Sequence, residues 1–253
     1  MTHLFRRHLL IAAALLVMPA AAAHAADVSV AVAANFTEPA KEIAAAFEKK
    51  TGDHVALSFG ASGVFLSQIE QGAPFEVFLS ADSERPQKLE ADGFAVAGTR
   101  FTYAQGALVL WSATPGYVDA RGAVLKRGAY QHLAIADPAA APYGQAAVET
   151  LNSLGLYAAA APKLVKGSSI GQTYGFVKSG AAELGFLALS QVIHEGGGSM
   201  WRVPATAYKP ILQDAVLLKP GANDPAARAW LAFMKSPQAR RIFASYGYAS
   251  GGR

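Results

Sequence analysis

A strand–turn–helix unit repeated three times in succession constrains this chain more than any other feature. "DVSVAVAANFTEPAKEIAAAFEKKTG" reads as a strand, a corner at Ala34-Asn35, and a helix in which Ile43 and Phe47 fall at i, i+4. Gly52 stops that helix, and Pro39 is tolerated only because it lies in the first turn. "HVALSF" followed by "VFLSQIEQG" repeats the scheme, and "EVFLSADSERPQKLEADG" repeats it again. Consecutive β–α units imply a parallel sheet covered by its own crossover helices. After "GALVLWSATPG" the pattern resumes in "HLAIADPAAAPYGQAAVETLNSLG", "PKLVKGSSIGQTYGFVKSG" and "AELGFLALSQVIHEGG", which predicts a second α/β sheet. The strand "DAVLLK" and the helices "DPAARAWLAFMKS" and "PQARRIFASYG" follow. No fixed-period repeat and no low-complexity linker separates the two halves, so chain crossings are expected to join them.

The first residues have another character. Arg6 and Arg7 precede an apolar run from Leu9 to Met18, and small residues stand at Ala23 and Ala25. That is the pattern of a secretory signal peptide over residues 1–25, by the general route rather than the twin-arginine one, since no cofactor motif calls for folded export. No later stretch reaches the roughly 18 apolar residues of a membrane span, so a soluble, exported protein is expected. Cysteine is absent, which excludes disulfides, thiolate metal sites and a cysteine nucleophile. The formal net charge is only +4, two units of it on Arg6 and Arg7, and the remaining charges are interspersed. Nucleic acid is therefore not an expected partner.

Four corners share one design: Ala34–Thr37, "GASG" at Gly60–Gly63, "APYG" around Tyr143, and "KGSSIGQ" at Lys166–Gln172. Each leads into a helix and offers amide, hydroxyl or backbone donors with almost no charge. Unpaired first-turn N–H groups and the helix dipole favour an anion at such places. In open α/β sheets ligands bind beyond the carboxyl ends of the strands, so corners from two sheets can converge on one cleft. The lysine of a nucleotide-binding P-loop is missing. A rival reading exists in Gly167-Ser168-Ser169-Ile170-Gly171, which fits the G-x-S-x-G elbow of a serine esterase with Ser169 as nucleophile. Only His194 follows it as a base, and no HGGG-type oxyanion segment precedes it. His54 and His132 stand just before strands, as edge or core residues do. Neither they nor His194-Glu195 has a companion at metal-ligand spacing, so no site for a free metal cation is expected. Phe65, Phe75 and Phe78 read as core, and Glu183 as a solvated residue before a buried strand.

Several of these stretches together resemble the periplasmic molybdate-binding proteins that serve ABC importers: "AANF", "GASGVFLSQIEQGAPFEVFLSAD", "FTYAQGALVLWS", "APYGQAA", "SSIGQ", "AELGFLALSQ" and "SPQARRIFASYGY". The resemblance covers essentially the whole chain after the signal peptide. It implies a two-lobed α/β fold of the type II periplasmic-binding-protein kind, two α/β sheets joined by crossing hinge strands and closing on the anion. The crossings would fall near "TYAQGALV" and before or within "KPILQDAVLL". Lobe one would then comprise residues 26–104 and 207–253, and lobe two residues 105–206. By the same resemblance the ligand positions are Ala34, Asn35, Ser62, Tyr143 and, through its backbone N–H, Ile170. Many members have serine where Asn35 stands and a tyrosine where Ala188 stands; the Tyr143 phenol is expected to replace the latter. The resemblance further implies a monomeric, non-enzymatic receptor without a cofactor, delivering molybdate or tungstate to a membrane permease from the periplasm. Another tetrahedral oxyanion, such as sulfate, is the alternative ligand.

Neutral donors suit that ligand. Molybdate is a dianion without a proton near neutral pH, so every lone pair stripped of water needs a donor. A shaped ring of neutral donors selects by size and rejects oxyanions whose hydroxyl finds no acceptor. Phosphate should therefore bind poorly, and tungstate about as well as molybdate.

Overall fold

The computed structural model describes residues 27–250. The signal-peptide reading lies outside them. The first lobe opens with the three expected units: β1 (Asp27–Ala33) and α1 (Thr37–Thr51), β2 (His54–Gly60) and α2 (Ser62–Glu70), β3 (Val77–Leu79) and α3 (Glu84–Ala91). Strand β4 (Phe101–Gly106) leads through Ala107 into β5 (Leu108–Ser112), the first strand of the second lobe. There α4 (Ala123–Arg127), β6 (Leu133–Ala136), α5 (Pro142–Ser153), α6 (Tyr157–Ala160), β7 (Leu164–Gly167), α7 (Ile170–Lys178), β8 (Leu184–Ala188), α8 (Leu189–Val192) and β9 (Ser199–Arg202) follow. Residues 203–210 return the chain to β10 (Ile211–Leu217), α9 (Pro225–Phe233), α10 (Pro237–Ser245) and β11 (Ala249–Ser250).

The first sheet has the order β11-β4-β10-β3-β1-β2 and the second β7-β6-β8-β5-β9. Both are mixed, although the consecutive β–α units taken by themselves imply parallel pairing. The β–α units pair in parallel, β1 with β2 and β3, and β6 with β7 and β8. Antiparallel pairing enters with the strands next to the crossings: β10 runs against β3 and β4, and β5 against β8 and β9. A strand that has just left the other lobe enters its sheet without a crossover helix, so it can lie antiparallel. Strands β4, β9 and β11 lack the alternating or flanked apolar run that marks a strand in sequence, and they enter through pairing alone.

Each lobe has its own core. In the first, Phe47 meets Trp230 edge-on at 5.4 Å and both are fully buried, joining α1 to α9. Truncating such a ring costs about 3–5 kcal/mol. Gly52 ends α1 in the left-handed region, φ 85°, and its N–H closes on Glu48 O at 2.9 Å. Phe65 and Phe78 are core residues as expected, with Phe75 packed edge-on against Phe65 at 5.4 Å. Glu183 differs from expectation. Its carboxylate accepts the backbone N–H groups of Gln131 (3.1 Å) and His132 (2.9 Å). Against the penalty of partial burial, these bonds hold it below the usual carboxylate range and anchor the start of β6. No helix among the described residues is long and apolar enough to cross a membrane.

Candidate ligand-binding site

The four neutral corners meet. A 3-10 turn, Ala34–Phe36, joins β1 to α1; α2 starts after Ala61, α5 after Ala141 and α7 after Ser169. Between the lobes they enclose one small cavity to which Ala34, Asn35, Ser62, Tyr143 and Ile170 all contribute. Gly60, Ala61, Ala81, Ala141 and Pro142 complete its wall with Ala33, so no charged side chain lines it.

Several donors at the cavity have no partner among the described residues and remain for a ligand. Ser62 is 1% exposed, and its Oγ accepts the N–H of Ala81 at 3.0 Å. Its hydroxyl proton is thereby left for another acceptor. As first residues of α2 and α7, Ser62 and Ile170 have N–H groups without a partner inside their helices. Gln191 on α8 fixes the start of α7: its Nε2 donates to Ile170 O at 3.0 Å while its Oε1 accepts the Ala188 N–H at 3.1 Å. Ala188 itself is fully buried and offers only a methyl group.

Asn35 and Tyr143 belong to a buried polar network. Asn35 Nδ2 donates to Gln213 Oε1 (2.9 Å) and to Tyr248 Oη (2.8 Å), and Gln213 Nε2 donates to Tyr143 Oη (3.2 Å). The Tyr103 hydroxyl lies between Gln213 Oε1 (3.0 Å) and Ser80 O (3.1 Å). Ser190 Oγ and Tyr248 Oη both donate to Asn35 O, at 2.7 and 2.9 Å. Burial pushes the Tyr143 and Tyr103 phenols well above their ordinary range and Tyr248 up to about 12, so all three remain protonated at neutral pH. Asn35 Oδ1 is a buried acceptor with no partner among the described residues.

The lobes also touch directly beside the cavity. Gly63 N–H donates to Ala140 O at 2.9 Å and Arg85 Nη2 to Ala139 O at 3.1 Å. A Cβ on Gly63 would stand 3.0 Å from Ala140 Cα and O, so glycine permits this approach. On another side the cleft widens into a cavity of about 510 Å³ that includes Glu38, His194 and Glu195. Its carboxylates make it the poorer place for an anion.

Sequence reasoning missed Gln213, Tyr103, Tyr248 and Ser190. Their stretches are visible in the chain, yet the pairs are separated by up to 213 residues, and nothing local marks them as partners. The rival reading fares differently. Ser169 Oγ caps α7 by accepting the Gln172 N–H at 3.2 Å, in an extended backbone with φ −148° and ψ 167° rather than a strained elbow. His54 is exposed on the edge strand β2 and bonds Asp27 at 3.0 Å, His132 is exposed before β6, and His194 packs edge-on against Tyr246 at 5.0 Å. Among the described residues no group of three or more His, Cys, Asp or Glu comes together as metal ligands would.

Comparison with known proteins agrees with this architecture. Residues 28–249 match the family model described as bacterial extracellular solute-binding protein. The molybdate-binding protein ModA of Azotobacter vinelandii is 59% identical over 232 residues, covering 90% of this chain and 92% of the relative. The molybdate-binding protein ModA of Rhodobacter capsulatus is 58% identical over 235 residues, covering 93% and 92%. The solved periplasmic molybdate-binding protein of Azotobacter vinelandii superposes with a TM-score of 0.85 at 44% identity, covering 88% of this chain and 98% of that one. With two lobes, two crossings and a neutral cavity between them, this chain belongs to the bacterial extracellular solute-binding proteins, in the group that includes the molybdate-binding proteins.

Proposed function

We propose that this protein is a periplasmic receptor that binds molybdate, and tungstate equally, and delivers it to the membrane permease of an ABC importer. One observation carries the reading: the cavity between the lobes is lined by neutral residues alone, with neither a cation to attract anions at large nor a carboxylate to repel them. Ser62 Oγ, the first-turn N–H groups of Ser62 and Ile170, the Ala34–Asn35 turn and the Tyr143 phenol are the donors. Lobe one is taken as residues 26–104 and 207–253, lobe two as 105–206, and the anion is held where their corners meet. The protein acts as a monomer without cofactor and without catalysis. Ser169 as a helix cap supports that view, because its backbone is extended rather than bent into a strained elbow.

A thermal-shift panel of oxyanions tests the reading. Ligand at a thousandfold over its dissociation constant adds about 4 kcal/mol to stability. Molybdate and tungstate should raise Tm, with millimolar phosphate inert and sulfate weak. An equal response to phosphate would overturn the neutral, proton-rejecting pocket, and labelling of Ser169 by a fluorophosphonate would revive the esterase.

A further inference from the structure

We propose that Gln213 is a positioning residue for the anion site, setting where the Tyr143 proton points and holding the Asn35 amide with the same side chain. The proposal rests on the cavity being the molybdate site. Gln213 is completely buried on β10, the strand that brings the chain back from lobe two. Its amide reaches Asn35 from lobe one and Tyr143 from lobe two, and so joins cavity-lining side chains of both lobes.

The chemistry of the amide gives this bridge a direction. Nε2 can only donate, so its bond to Tyr143 Oη occupies a lone pair and leaves the single phenol proton for another acceptor. An acceptor in the same place would take that proton away from the cavity. At the other end Oε1 accepts from Asn35 Nδ2, and because Asn35 Oδ1 has no partner among the described residues, they hold the Asn35 amide through its nitrogen, by way of Gln213 and Tyr248. Two features of the hinge strands prepare the arrangement. A β-bulge pairs Gln213 with Ala104 and Asp214 with Thr102, so Tyr103 is the extra residue, and its hydroxyl meets Gln213 Oε1. Gly106, at the end of β4, leaves the space: a Cβ there would lie 2.1 Å from Tyr143 Oη and 2.6 Å from Gln213 Nε2.

Calorimetry with molybdate on wild type, Gln213→Met, Tyr143→Phe and the double variant tests this. Gln213→Met should lower affinity about 10- to 100-fold, because a charged acceptor loses a directed donor. In the Tyr143→Phe background the same change should cost clearly less than in wild type, leaving only the share that acts through Asn35, since residues acting through one another are not additive. Fully additive losses, or less than a threefold loss in Gln213→Met alone, would overturn the proposal while leaving the molybdate reading intact. A wild type that does not respond to molybdate would overturn both.

Gln213→Glu keeps the shape and decides the matter if the methionine variant does not fold. Its carboxylate would accept the Tyr143 proton at pH 8, and protonation of this buried group should restore about tenfold in affinity towards pH 6. The groups facing it are Asn35 and the phenols of Tyr143, Tyr103 and Tyr248; these phenols do not titrate in that range. Asp214, the next residue, is bound to Arg100, Thr102 and Ser83 instead. Wild-type affinity should be flat over the same interval. A flat profile for Gln213→Glu would overturn the proposal.

Discussion

Gln213 and Asp214 are neighbours on one strand, both fully buried, and their surroundings could hardly differ more. Gln213 joins a network of amides and phenols without a formal charge. Asp214 holds a full charge, met by Arg100 Nη1 at 2.6 Å, Thr102 Oγ1 at 2.7 Å and Ser83 Oγ at 3.0 Å. Burying a carboxylate is costly unless it is paired, and here it is paired with a cation and two hydroxyls. The lesson is one of placement. Charge is used in the wall of lobe one, where it ties β4, β10 and the turn before α3 together, and it is kept out of the cavity that must admit a dianion.

The largest test of this contrast moves a charge across it. Ser62→Asp would set a carboxylate against the dianion, and like charges in contact cost several kcal/mol; molybdate binding should fall by at least about a thousandfold. Calorimetry would detect it, and retained binding would refute the need for neutrality. Breaking the charged side should act on stability instead. Arg100→Met leaves Asp214 buried without its cation, an expected loss of about 2–4 kcal/mol in urea unfolding, with affinity of the folded protein changed less than threefold. A combined loss of affinity would mean that the two regions are coupled.

Smaller deletions sharpen the neutral side. Ser62→Ala leaves an oxyanion lone pair without a donor and should cost about 1.5–3 kcal/mol of affinity. Tyr143→Phe keeps the ring and removes one donor, so affinity should drop about ten- to a hundredfold, while the ligand-free Tm should barely move. Gly63→Ala, whose methyl would press on the Ala140 backbone at 3.0 Å, should weaken only the closed state, by about three- to tenfold in affinity.

The smallest effect concerns pH. Burial raises the Tyr143, Tyr103 and Tyr248 phenols, the last to about 12, against about 10 in an unfolded chain. The unfolded state therefore releases protons first as pH rises. Stability that these phenols provide is complete below pH 10 and is lost between pH 10 and their folded values. Thermal melts should be flat from pH 6 to 9 on this account, with an alkaline decline that Tyr248→Phe makes shallower.

Much of the protein was legible in its order of residues. The six β–α units announce themselves by local signals: apolar strands, a glycine or small-residue corner, then a helix with its cap. Gly52 ends α1 and Ser169 starts α7 by chemistry that spans four residues or fewer. The resemblance added the five cavity positions, which the fold does bring to one place. Strand β4 was placed only by the resemblance, and β9 and β11 were not legible, because all three exist through their partners in a sheet rather than through their own pattern.

What the amino-acid sequence determined by itself is therefore the set of units and the neutral character of their corners, since both depend on neighbours along the chain. Tertiary structure alone decided that the sheets are mixed, that Gln213 lies between Asn35 and Tyr143, and that Glu183 grips the start of β6. Those hydrogen bonds join groups 51 to 178 residues apart, as His132 with Glu183 and Asn35 with Gln213 do. A hydrogen bond is decided within about 3 Å of space, and only the folded backbone brings residues so distant in the chain to that range.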